Sequence, residues 1–114
     1  MMREEWKNMD GYEGLYQISN FGRVKSLYFN KEKILKLHSS RGYQQITLHL
    51  RGEVKTKPVH RLVMETFNPI ENMSAYDVNH IDEDKMNNRI DNLEWMKHKD
   101  NCNYGNRNKK VSTM

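Results

Sequence analysis

Apolar and polar residues alternate through Leu15-Tyr16-Gln17-Ile18-Ser19 and again through Arg23-Val24-Lys25-Ser26-Leu27. The runs are bounded by Asp10-Gly11-Tyr12-Glu13-Gly14 and separated by Asn20-Phe21-Gly22. The stretch from Glu5 to Leu27 therefore predicts a short β-hairpin, with Val24 turned into a packed face and Arg23 and Lys25 to the opposite one. A period of two continues in Lys33-Ile34-Leu35-Lys36-Leu37. It is clearest from Tyr43 to Leu50, where Ile46, Leu48 and Leu50 alternate with Thr47 and His49. Arg51-Gly52-Glu53 reads as a turn. At Pro58 the period lengthens: Val59, Leu62, Val63, Thr66 and Phe67 recur at helical spacing behind a proline suited to a first helical turn. Asn68-Pro69 closes this helix after about ten residues.

Residues 68–77 predict a loop. A strand at 78–81, a turn crowded with Asn, a second strand at 93–96 and a helix opening near Lys97 follow. Beyond Asn103 the chain is polar and basic without apolar period, which predicts a frayed tail over 104–114. There is no internal repeat. The fold class expected is α+β: a small N-terminal antiparallel sheet and helix, then a ββα unit. The divisions fall at 1–57 for a β module and 58–103 for the ββα unit with its preceding helix.

At 114 residues the chain is one domain or two very small modules, with only a modest core. Hydrophobic residues make up 36% and charged ones 30%, and mean hydropathy is −1.01, so the chain is polar yet has enough apolar side chains to fold. The net charge of +4 conceals a segregation. Residues 20–61 hold ten Lys/Arg against two Asp/Glu, whereas residues 62–96 hold two against eight. A basic block beside an acidic one suits a protein that grips a polyanion with one part and holds a cation with another. The single Cys102 excludes an intramolecular disulfide, and no apolar run has the length of a signal peptide or membrane span. A soluble, monomeric protein of a reducing compartment is expected, with no membrane association.

The stretch from Val78 to Asn101 carries the chemistry. Histidine is the natural general base near neutral pH, and a strand histidine with a metal-ligating side chain brought alongside by a helix is an economical way to activate water against a phosphodiester. His80 and Asn101 fit those two roles. A zinc site built from His80, His98 and Cys102 lacks a fourth ligand at a recognisable spacing. A calcium loop at Asp82 and Asp84 fails because Met86 stands where an oxygen ligand is required. His38 and His49 suggest no chemistry, and Trp95 reads as core.

Three blocks in order resemble the phage-type HNH homing endonuclease family: Glu5-Trp6 through Leu27 its N-terminal nuclease-associated modular motif, His60-Arg61-Leu62-Val63 to Phe67 the helix before the nuclease core, and Val78 to Asn101 the ββα-metal core. The resemblance implies His80 as general base, Asn92 as the central Asn bracing the loop between the strands, and Asn101 as metal ligand on the following helix. It also implies a metal-ligand position at residue 79. The family often has Asp there and this chain has Asn79, a neutral oxygen ligand that Asp82 or Asp84 is placed to supplement through water. His60 matches a family position and reads as packing around the site.

The activity implied is cleavage or nicking of double-stranded DNA with one divalent cation, Mg²⁺ or Mn²⁺, leaving a 5′-phosphate. The implied location is the cytoplasm, that of a host cell if the gene is carried by a phage. Arg23, Lys25, Lys33, Lys36, Arg41, Lys55, Lys57 and Arg61 are expected to meet phosphates, with Tyr43, Gln44 and Gln45 able to reach base edges. The alternative is a DNA-binding protein that keeps the scaffold without catalysis, suggested by Asn79 and by the end of the chain soon after the core.

Overall fold

A computed structural model describes residues 2–98. Asn101, Cys102, the expected final helix and the tail at 104–114 lie outside the described residues. The N-terminal part is a four-stranded antiparallel sheet in chain order: β1 (Trp6–Asn8), β2 (Tyr16–Ser19), β3 (Val24–Ser26) and β4 (Lys33–Ile34). The predicted hairpin is its middle. In the β2–β3 turn the Ser19 hydroxyl accepts hydrogen bonds from the Phe21 and Arg23 amides, and Gly22 adopts a φ of +88°, where a side chain is unfavourable.

A second antiparallel sheet follows: β5 (His38–Ser40), β6 (Tyr43–Leu50) and β7 (Glu53–Pro58). Only β6 announces itself in the sequence. Its flanking strands are exposed on much of their length and have no apolar face for a period to reveal. Pro58 lies opposite Gln45 as the last residue of β7, one step before the helix rather than in its first turn. Helix α1 then runs Val59–Phe67.

A two-stranded hairpin completes the described chain, with β8 (Tyr76–His80) antiparallel to β9 (Leu93–Lys97). The β8 strand begins two residues earlier than expected, within the predicted loop, and stops at His80, which leaves Ile81 half exposed in the turn. Lys97 is the last residue of β9. Short 3-10 turns occupy Met73–Ala75 and Ile90–Asn92.

One apolar core runs under all three sheets. Val59, Leu62, Val63 and Met64 give α1 a buried face that packs on β2, β6, β7, β8 and β9, in one core cluster with Ile18, Val24, Ile46, Leu48, Val78 and Leu93. At about 25 cal/mol per Å² of apolar area, the helix is held by this burial and not by its propensity, since nine residues are too few for an isolated helix. No helix among the described residues is long and apolar enough to cross a membrane.

Candidate active site and nucleic-acid interface

His80 ends β8 and is buried at 5% exposure. Its Nε2 lies 2.8 Å from Asn88 Oδ1, and Asn88 Nδ2 donates to Gln44 Oε1 at 3.0 Å. Because a carbonyl oxygen only accepts, this pairing puts the imidazole proton on Nε2 and leaves Nδ1 as the basic nitrogen. The ring is also fixed by packing: His60 lies 5.0 Å from it and stacks on Tyr43 at 5.1 Å, with Lys85 Nζ 4.6 Å over the Tyr43 ring. Burial, and secondarily the neighbouring His80, pushes the His60 pKa down to about 4. His60 Nδ1 is buried with no hydrogen-bond partner among the described residues.

Asn92 sits at the base of the loop that His80 opens. Its Nδ2 donates to Asp82 Oδ1 and to the Asn87 carbonyl, both at 2.9 Å, while its Oδ1 accepts from the Asp82 amide at 3.1 Å. The Ile81 amide donates to the Asn92 carbonyl. One side chain thus ties both strand ends to the turn between them. The Asp82 carboxylate is consumed in the same network. It also accepts from Asn87 Nδ2 and the Asp84 amide, and these bonds, that from Asn87 foremost, hold its pKa below the usual carboxylate range. Asp84 in turn accepts from the Met86 amide. Both oxygens of Asp82 are engaged in this network, whereas Asp84 accepts on Oδ1 only.

Asn79 faces β9, where the register sets it directly opposite Glu94, and its Nδ2 donates to Glu94 Oε2 at 2.7 Å. Asn79 Oδ1 and the Glu94 carboxylate are hard oxygen donors of the kind Mg²⁺ and Mn²⁺ take, so the described part of the site fits the expected cation. Asn101 lies outside the described residues. Among those residues no three His, Cys, Asp or Glu side chains converge. His98 points elsewhere, with Nδ1 2.9 Å from Asp77 and Nε2 donating to the Ser74 carbonyl, and the Asp77 hydrogen bond raises its pKa.

The basic residues separate into two groups. Lys33, Lys36, Arg41 and Lys55 are exposed, with Arg41 in the β5–β6 turn. Arg23 is paired with Glu4 through two hydrogen bonds and lies over Trp6, Lys25 is half-buried 4.2 Å over the same ring, and Lys57 lies over Tyr12. Arg61 is engaged by the protein itself: it donates to the Tyr76 and Met73 carbonyls and to Glu65, and covers Trp95. It ties α1 to the start of β8. Of the three residues expected at base edges, Gln45 lies on the outer face of β6 with Thr47, Thr56 and His38 beside it in register. Gln44 and Tyr43 instead reach the His80 site. Trp95 is half-buried, its indole N–H donating to the Asn68 carbonyl.

Two polar residues of the site escape sequence reasoning. Asn88 is one of several Asn in the turn, with nothing to single it out, and Glu94 becomes a neighbour of Asn79 only once the strand register is known.

Residues 4–49 match the NUMOD4 motif and residues 57–102 the HNH endonuclease family. The DNA endonuclease I-HmuI of Bacillus phage SP01 is 41% identical over 101 residues, which are 85% of this chain and 55% of that protein. An uncharacterized HNH endonuclease of Acanthamoeba polyphaga mimivirus is 38% identical over 104 residues, 90% of this chain and 30% of that protein. The structure describing DNA binding and cleavage by the HNH homing endonuclease I-HmuI aligns with a TM-score of 0.81 at 38% identity, over 96% of this chain and 62% of that one. The chain thus spans less than two thirds of each of these relatives.

Proposed function

Because the chain belongs to the HNH homing endonuclease family, we propose that it is a metal-dependent endonuclease that nicks or cleaves double-stranded DNA. The observation that carries this reading is the clamped His80, with Nε2 fixed by Asn88 and a ring walled by His60 and Tyr43. His80 Nδ1 takes the proton of the attacking water, which then adds to the scissile phosphorus as the 3′-oxygen leaves, giving a 5′-phosphate. Asn92 keeps the base in place by holding the loop at the end of β8. A bound Mg²⁺ or Mn²⁺, held by Asn79 and Asn101, would offset the charge that develops on the phosphate and the leaving oxygen.

In this reading residues 1–57 grip DNA and residues 58–103 cut it. Lys33, Lys36, Arg41 and Lys55 meet phosphates, while Gln45 and its neighbours on the outer face of β6 meet base edges. Arg61 is left out of the interface because its guanidinium is engaged by the protein. Plasmid relaxation with Mg²⁺, with Mn²⁺ and with chelator tests the proposal. His80→Ala should abolish cleavage and leave DNA affinity within about threefold, because the imidazole serves proton transfer and not phosphate contact. Binding without relaxation under any metal would favour the non-catalytic alternative, which Asn79 keeps in play.

A further inference from the structure

We propose that Glu94 supplies the carboxylate that position 79 lacks, so that the cation is held across the β8–β9 hairpin by Asn79 and Glu94 together. The inference rests on the metal-dependent reading above and names a ligand which that reading does not contain. A divalent cation needs anionic oxygens, and Asn79 offers only a dipole. Two other carboxylates of the hairpin and its turn are committed elsewhere, Asp82 to Asn87, Asn92 and the Asp84 amide, and Asp77 to His98. Glu94 is half-buried, and its one hydrogen bond among the described residues comes from the Asn79 amide. A partly desolvated carboxylate with no ion-pair partner among the described residues favours a cation beside it.

The spacing fits. Neighbouring oxygens around octahedral Mg²⁺, each about 2.1 Å from the ion, are roughly 3 Å apart. The Asn79 amide and Glu94 Oε2 stand 2.7 Å apart, bridged by an N–H. Turning the Asn79 amide over puts Oδ1 beside Oε2. Two oxygens at that distance repel unless a cation lies against both, so the hydrogen bond and the chelate are alternative fillings of one gap. Strand register enforces the pairing, since residues directly opposite in an antiparallel ladder share a face.

Mn²⁺ binding by the full chain, followed by the electron paramagnetic resonance of free Mn²⁺ with and without duplex DNA and with Mg²⁺ as competitor, tests this without relying on turnover. Glu94→Gln, which keeps the shape and can still pair with Asn79, should raise the Mn²⁺ Kd at least tenfold. Glu94→Asp, which keeps the charge but shortens the reach, should fall between. Asp91→Asn removes one negative charge on the 3-10 turn before β9 and should leave Kd within about twofold, which separates ligation from general electrostatics. If Glu94→Gln does not fold, the Glu94→Asp Kd decides: a value equal to that of the unmodified chain overturns the proposal. An unchanged Kd in folded Glu94→Gln, or an equal loss in Asp91→Asn, overturns it while plasmid relaxation by the unmodified protein still stands. A protein that binds no Mn²⁺ in either state and relaxes no plasmid overturns both readings.

Discussion

Gly22→Ala should damage a site 58 residues further along the chain. Gly22 lies in the β2–β3 turn with φ +88°, and an ideal Cβ there comes within 2.8 Å of Asn88 Cβ and 3.0 Å of the Asn88 carbonyl oxygen. The left-handed backbone costs an alanine about 1 kcal/mol. The contact falls about 0.6 Å short of the 3.4 Å lower limit of ordinary packing, and its near atoms are a Cβ and a backbone oxygen, neither of which can swing away. Such overpacking costs about 1–3 kcal/mol. The total of about 2–4 kcal/mol, at about 4–8 °C per kcal/mol for a domain of this size, lowers Tm by roughly 8–30 °C. Gly11→Ala and Gly14→Ala are controls, because both positions have positive φ and no atom within 4 Å of the new Cβ, so each pays only the backbone cost. Since Asn88 holds His80 Nε2, Gly22→Ala should also lower kcat at least tenfold where the variant is fully folded. Urea unfolding and single-turnover cleavage of the three variants check both parts. Equal destabilisation within about 0.5 kcal/mol and equal kcat for Gly22→Ala and Gly14→Ala would refute the argument.

Asn88→Ala, which removes the acceptor that fixes the His80 tautomer, should cost about 10–100-fold in kcat with DNA affinity retained. Asn88→Asp should recover part of it with the acid limb of the pH–rate profile moved upward, because a carboxylate favours imidazolium; identical profiles for the two variants would count against the clamp. His60 has a pKa of about 4 in the fold against 6.5 ordinarily, so below 6.5 the unfolded chain takes up a proton that the fold refuses. Stability should therefore fall as pH drops from 6.5 towards 4, by up to about 1.4 kcal/mol per pH unit and about 3 kcal/mol in all. Denaturation of the unmodified chain and of His60→Gln across that range should diverge, and parallel curves would be the contrary result. DNA binding should weaken steeply with salt, and replacing Lys33, Lys36, Arg41 and Lys55 by Gln should reduce the log–log slope by about 3–4, at roughly 0.9 per phosphate lost. A titration in which the slope does not change would place the contacts elsewhere.

Much of this protein was legible before any coordinates. The β6 strand shows in its alternation because Ile46 and Leu48 face a core, and α1 shows because Val59, Leu62 and Val63 recur on one buried face. Burial on one side of an element writes a period into the sequence, and the order of His80 and Asn92 carries the family resemblance. The β5 and β7 strands have no such face, so they pair without leaving a period. The close relations that finish the site are between residues far apart in the chain: Gln44 with Asn88, Gly22 with Asn88, Asn79 with Glu94. Each depends on register and on how α1 sets the sheets against one another. Shifting β9 by a single residue would turn Glu94 to the other face of the hairpin. Likewise, the sequence supplies the charge of Arg61, but only the fold, by placing the Met73 and Tyr76 carbonyls around it, decides that this cation ties α1 to the start of β8.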